Sequence, residues 1–100
     1  MPVYSFGNNE INFENLSGKV GEKEIQLTMH EASLMKCLID NKNKVVSRTE
    51  MLEKVWNISS EIETRTVDNF IVRLRKYFEP NPEKPVYIKS IRGAGYIFSD

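Results

Sequence analysis

Arg65, Arg73, Arg75 and Lys76 all fall inside the stretch TRTVDNFIVRLRKYFEP, residues 64–80, of a 100-residue chain whose formal net charge is +0. Guanidinium and ammonium groups donate hydrogen bonds and accept none, so such a cluster is chemistry for an anion. The rest of the chain makes the bias clearer. Residues 1–63 carry 10 acidic and 7 basic side chains and residues 64–100 carry 4 and 7, which leaves the two parts at −3 and +3. An anionic partner would meet the C-terminal third. A merely solvated basic helix is the plainer reading of the cluster taken alone, so the neighbouring residues must decide.

Other reactive side chains offer less. His30 is the only histidine and Cys37 the only cysteine, too few for a tetrahedral metal site and unpromising as a nucleophilic pair, since Cys37 sits beside Leu38 on an apolar helix face. Both read as structural residues. Trp56 closes an apolar helix side and reads as a core anchor. Glu61 and Glu63 lie in a loop with nothing to arrange them for acid and base work, and "GAG" at 93–95 is too short for a dinucleotide fingerprint. Catalysis, a metal and a cofactor are therefore not expected.

The elements that must carry the basic residues follow from periodicity. Short segments VYSF, INFEN, GKV and KEIQL, broken by GNN, LSG and GE, predict antiparallel strands within residues 3–27. Thr28 with Glu31 forms a capping box, and Leu34, Leu38, Met35 and Ile39 continue as a helical apolar stripe to about Asp40. After NKNK, "VV" reads as a short connector. Ser47 and Glu50 then open a second helix with Met51, Leu52, Val55 and Trp56 on its apolar side. A polar loop leads to a third helix that starts near Thr64 and stops before Pro80 and Pro82. VYIKSIRGAGYIFS predicts a hairpin around RGAG.

The third helix has two unlike faces. Val67, Ile71, Leu74 and Phe78 recur at i, i+4, i+7 and i+11 and must face the core. Thr66, Asn69, Phe70, Arg73, Lys76 and Tyr77 fall on the other side, where mixed donors, cations and aromatics suit base edges and phosphates. The first helical turn adds free amides and a positive dipole end, with Arg65 and Thr66 beside them. Helices two and three make a helix-turn-helix with a long turn, and Arg92 near the tip of the hairpin, between strand and glycines, makes it a winged one.

With these segments in this order, the chain resembles the winged-helix effector domain of OmpR/PhoB-type bacterial response regulators. LTMHEASLMKCLIDNKNKVVSRTEMLEKVW, TRTVDNFIVRLRK and YIKSIRGAGYIF carry the likeness, together with the N-terminal strand set, over nearly all of the chain. The resemblance implies an α+β fold: an N-terminal antiparallel sheet (about 3–27), a three-helix core (about 28–79) and a C-terminal β-hairpin wing (about 86–99). These form one DNA-binding domain over 1–100. It further implies cytoplasmic transcription regulation in a two-component phosphorelay, beneath a receiver domain that is absent here, so that the chain reads as an excised domain starting at an added Met1. No apolar run approaches the roughly 20 residues of a membrane span.

By the same resemblance, Arg65, Thr66, Asn69, Phe70, Arg73, Arg75 and Lys76 contact double-stranded DNA from the recognition helix. Ser90, Arg92 and Tyr96 contact it from the wing. The loop Asn57, Ile58, Ser59, Ser60 and Glu61 corresponds to a segment that meets RNA polymerase, while Ile58 and Ile62 each read on their own as local packing residues. Two positions depart from the pattern: Phe70 stands where a histidine is frequent, and Val72 where a polar or basic residue is. Phe70 could meet a thymine methyl or turn inward beside Ile71 and Leu74; both readings stay open from sequence. A free monomer that pairs head to tail on DNA is expected. The alternative function is a winged-helix module that docks proteins, since a neutral domain is not strongly basic.

Overall fold

Four strands open the chain: β1 (Val3–Phe6), β2 (Asn9–Asn12), β3 (Ser17–Val20) and β4 (Lys23–Gln26), paired antiparallel in the order β1-β2-β3-β4. They belong to a computed structural model that describes residues 2–58 and 63–100. β2 begins two residues earlier than the apolar pattern predicts, because Asn9 pairs with Phe6. Its buried side chain finds a partner by donating to the Phe78 carbonyl at 2.9 Å, so this asparagine is part of the fold rather than of a turn.

The inner side of the sheet carries Phe6 and Ile11. The Phe6 ring packs 5.1 Å from Phe98, 5.0 Å from Tyr87 and 5.6 Å from Phe78. These contacts, edge-to-face with Tyr87 and Phe98 and tilted with Phe78, tie the N-terminal sheet to the far end of the chain.

Helix α1 (Met29–Asp40) starts as the capping box requires: the Glu31 amide donates to Thr28 Oγ1 at 3.1 Å and the Thr28 amide to Glu31 Oε1 at 2.8 Å. Leu34, Met35 and Leu38 are fully buried, whereas Ile39 only packs against the core. Ser47 caps α2 (Arg48–Trp56), accepting from the Glu50 amide. The helix closes at Asn57 in the left-handed region, φ 59°, which asparagine tolerates better than most residues. Helix α3 (Thr64–Phe78) buries Val67, Ile71, Leu74 and Phe78, the four residues that its periodicity selects. The three helices pack on one another around Met51 and Leu52.

The C-terminal part departs from a simple hairpin. Val45–Val46, expected as a connector, forms strand β5 and pairs with β7 (Gly95–Phe98), which also pairs with β6 (Ile88–Ile91), giving a sheet in the order β5-β7-β6. Two valines between two helices carry too little pattern to announce a strand; the partner lies 50 residues away, with Val46 opposite Tyr96. This pairing reassigns a glycine. Gly93 (φ +76°) serves the turn, but Gly95 lies in β7, and a Cβ there would meet the Val46 carbonyl oxygen at 2.1 Å. Only glycine lets the two backbones come that close.

Glu79 joins α3 to the sheet. Its buried carboxylate accepts backbone N–H groups of Val86 (2.8 Å), Tyr87 (3.0 Å) and Ile88 (2.8 Å). Helix α3 and the C-terminal hairpin are thus held together at the helix's C-terminal end.

Candidate nucleic-acid interface

Opposite its buried face, α3 presents Arg65, Asn69, Val72 and Lys76 at i, i+4, i+7 and i+11, all exposed. With the described residues, none of these four side chains forms a hydrogen bond or an ion pair; nor does Arg92, exposed on the turn between β6 and β7. Groups held out in this way are available to a ligand. The first turn of α3 contains no acidic residue, so its amides and positive dipole end act together with Arg65.

Two flanks run beside this ridge. Toward α1 and α2, Phe70 is half-buried, its ring 4.9 Å from Trp56 and 6.2 Å from His30. The ring packs against the margin of the core, between the helices, which is nearer to the inward alternative, while part of it stays accessible. Arg73 lies over that ring, its guanidinium carbon 4.3 Å from the centroid, and its Nη1 is 3.8 Å from Glu31 Oε2. The Glu31 side chain is 2 % exposed. A buried carboxylate and an aromatic plane therefore hold one side of the Arg73 guanidinium while about half of the side chain stays in solvent. Tyr77, expected on the outward side, instead donates its hydroxyl to Glu31 Oε2 at 3.1 Å. Burial and that carboxylate push the Tyr77 phenol above its ordinary pKa. Thr66 is half-buried on the same side.

Toward the hairpin, Asp68 accepts from Arg48 Nη1 and from the Tyr96 hydroxyl, both at 2.7 Å. Burial first, and then the Asp68 hydrogen bond and charge, push the Tyr96 phenol up to about 12. Arg75 donates from Nε to the Ile88 carbonyl and from Nη2 to Ser90 Oγ, each at 3.0 Å, with its guanidinium over the Tyr96 ring. Arg75, Ser90 and Tyr96, singled out from sequence as DNA contacts, thus also have partners inside the molecule. Arg48 and Asp68 line a groove between α3 and the hairpin along with Ser90, Gly93, Gly95 and Tyr96.

Periodicity could have placed Val72 on the ridge, since residues 65, 69, 72 and 76 share a face. Nothing local announces the contacts that Glu31, Arg48 and Asp68 make across elements; the sequence marks Glu31 only as part of a helix cap. Asn57 and Ile58 are exposed at the end of α2, while Ser59, Ser60, Glu61 and Ile62 lie outside the described residues. Among the described residues no group of three His, Cys, Asp or Glu could hold a metal ion, and no helix is long and apolar enough to cross a membrane.

Comparison with known proteins fits this geometry. The family described as "Transcriptional regulatory protein, C terminal" matches residues 22–98. The alkaline phosphatase synthesis transcriptional regulatory protein PhoP of Bacillus subtilis is 43% identical over 75 residues, 75% of this chain and 31% of that protein. Response regulator DrrB, a Thermotoga maritima OmpR/PhoB homolog, superposes with a TM-score of 0.86 at 35% identity, covering 99% of this chain and 45% of DrrB. The DNA-binding domain of Klebsiella pneumoniae RstA, solved in complex with the RstA box, superposes with a TM-score of 0.85 at 26% identity, covering 99% and 98%. The chain spans about a third of the length of the curated relatives it matches.

Proposed function

The chain belongs to the family of C-terminal domains of transcriptional regulatory proteins, the winged-helix DNA-binding domains of OmpR/PhoB-type response regulators, and we propose that it binds duplex DNA sequence-specifically as the output domain of a two-component regulator. The observation that carries this reading is the outward ridge of α3, where Arg65, Asn69, Val72 and Lys76 are exposed and have no hydrogen-bond or ion-pair partner among the described residues, and Arg73 is braced beside them.

A helix seats in the major groove, so Asn69 and Arg73 fall to base edges and Arg65, Thr66 and Lys76 to phosphates. Arg92, on a hairpin bonded to α3 through Arg75, reaches the neighbouring minor groove or its backbone. Ser90, Arg75 and Tyr96 hold the angle between helix and wing and offer their remaining donors to phosphate. Phe70 contributes as the shelf beneath Arg73. Binding is the output and no covalent step is involved. In the whole protein, a receiver domain governs this one, residues 57–61 form the contact with RNA polymerase, and the assembly works in the bacterial cytoplasm.

Salt tests the reading directly. Affinity for duplexes selected from a random pool should fall with salt at a logarithmic slope of about −0.9 per phosphate neutralised. Binding that ignores salt, or no selected motif at all, would favour a protein-docking module.

A further inference from the structure

Val72 is an apolar side chain placed where every neighbour is polar. It is 50% exposed, with Asn69 and Lys76 one turn before and after it and Arg73 next to it, on the ridge that faces away from the core. The core does not need it: Val67, Ile71 and Leu74 fill that side of the helix and are fully buried. Nor can it meet a phosphate, having neither charge nor donor.

One apolar group is displayed on the wall of the major groove, the C5-methyl of thymine. A β-branched side chain on a helix is nearly confined to one χ1 rotamer, so Val72 holds its methyl groups in a fixed place and loses little freedom on contact. Against cytosine or a purine at that place, the same methyl groups would cover a polar base edge without offering it a hydrogen bond. We propose that Val72 is a specificity-determining residue that selects thymine through its methyl group at one position of the binding site. The assignment rests on the duplex-binding reading above. Phe70, the other apolar candidate on this helix, is turned toward Trp56 and His30.

Deoxyuridine differs from thymidine only by that methyl group, which makes the test specific. Each thymine of the selected duplex is replaced in turn by deoxyuridine, and dissociation constants are measured at fixed salt for the unaltered chain and for Val72→Ala. Alanine has the higher helix propensity and the site is exposed, so the variant should fold. For the unaltered chain, one replacement should weaken binding about fourfold, the worth of one buried methyl-sized group. With Val72→Ala, that replacement should have no effect. Equal losses in both proteins at every thymine, or a selected site with no thymine under α3, overturns the Val72 assignment while leaving duplex binding intact. Absence of duplex binding by the unaltered chain would bring down the functional reading itself.

Discussion

Arg73 and Arg75 are two residues apart on one helix and have different tasks. Arg73 has its guanidinium over Phe70, near the buried Glu31, and about half of its side chain remains free for a guanine edge. Arg73→Ala should cost about 1–3 kcal/mol of binding and relax preference at one base pair; repeating the selection with the variant checks it, an unchanged motif counting against the role. Arg75 spends two of its donors on Ile88 and Ser90. Arg75→Ala should therefore lower folding stability by about 1–2 kcal/mol in urea melts, since a charge-assisted pair of bonds is lost. Arg65→Ala, exposed and unpartnered among the described residues, should weaken DNA binding and reduce its salt slope by about 1 while leaving the melt unchanged.

Between elements, the angle of α3 to the wing is set by polar contacts at both ends of the helix. Asp68 connects α3 to α2 through Arg48 and to β7 through Tyr96; Glu79 connects the helix end to β6. Tyr96 makes the first connection pH-dependent. Its folded pKa of about 12 lies above the ordinary 10.0, so the folded state holds the proton more tightly than the unfolded one. That stabilisation is complete below pH 10 and lost as pH rises toward 12. Because Tyr96 is only partly buried, its size after solvent screening is about 1 kcal/mol. Urea melts of Tyr96→Phe should show a stability deficit at neutral pH that shrinks across this alkaline window. A deficit independent of pH would mean that the hydroxyl bond to Asp68 contributes nothing through the proton. Glu79→Ala should be the more damaging change, by about 3 kcal/mol or more, because it strands buried backbone donors.

As a whole, the domain has one small core that consumes the apolar faces of all three helices: Leu34, Leu38, Met51, Val67 and Ile71 are each 0% exposed. No helix is left with an apolar stripe for a two-fold partner, so the free chain should be monomeric. A second copy set one turn of duplex away, about 10 to 10.5 base pairs, would offer the same helix to the same groove face. Copies related in that way meet through two different surfaces, which gives direct repeats. Gel shifts should show positive cooperativity on two half-sites in direct orientation. Inverting one half-site should remove the cooperativity and leave single-site affinity as it was; tighter binding to the inverted pair would instead point to a symmetric dimer.

Much of this was legible before any coordinates. Thr28 and Ser47 announce helices because their bonds reach only three residues; Val67, Ile71, Leu74 and Phe78 announce a core face because the helix repeat maps spacing onto direction. The order of the helices and the charged face of α3 came from these, and the winged-helix architecture from the hairpin signal around RGAG together with the family resemblance. The partners of that face were not legible. Arg48 and Asp68 are 20 residues apart, Glu31 and Tyr77 are 46, and Val46 pairs with Tyr96 across 50. Contacts at such separations depend on where whole elements come to rest, and no local period encodes them. For that reason Tyr77 and Arg75 looked as free as Lys76, and "VV" looked like a linker. Packing alone distinguished the arginine that braces the wing from the one beside it that is poised over Phe70, and turned Phe70 aside while leaving Val72 in solvent.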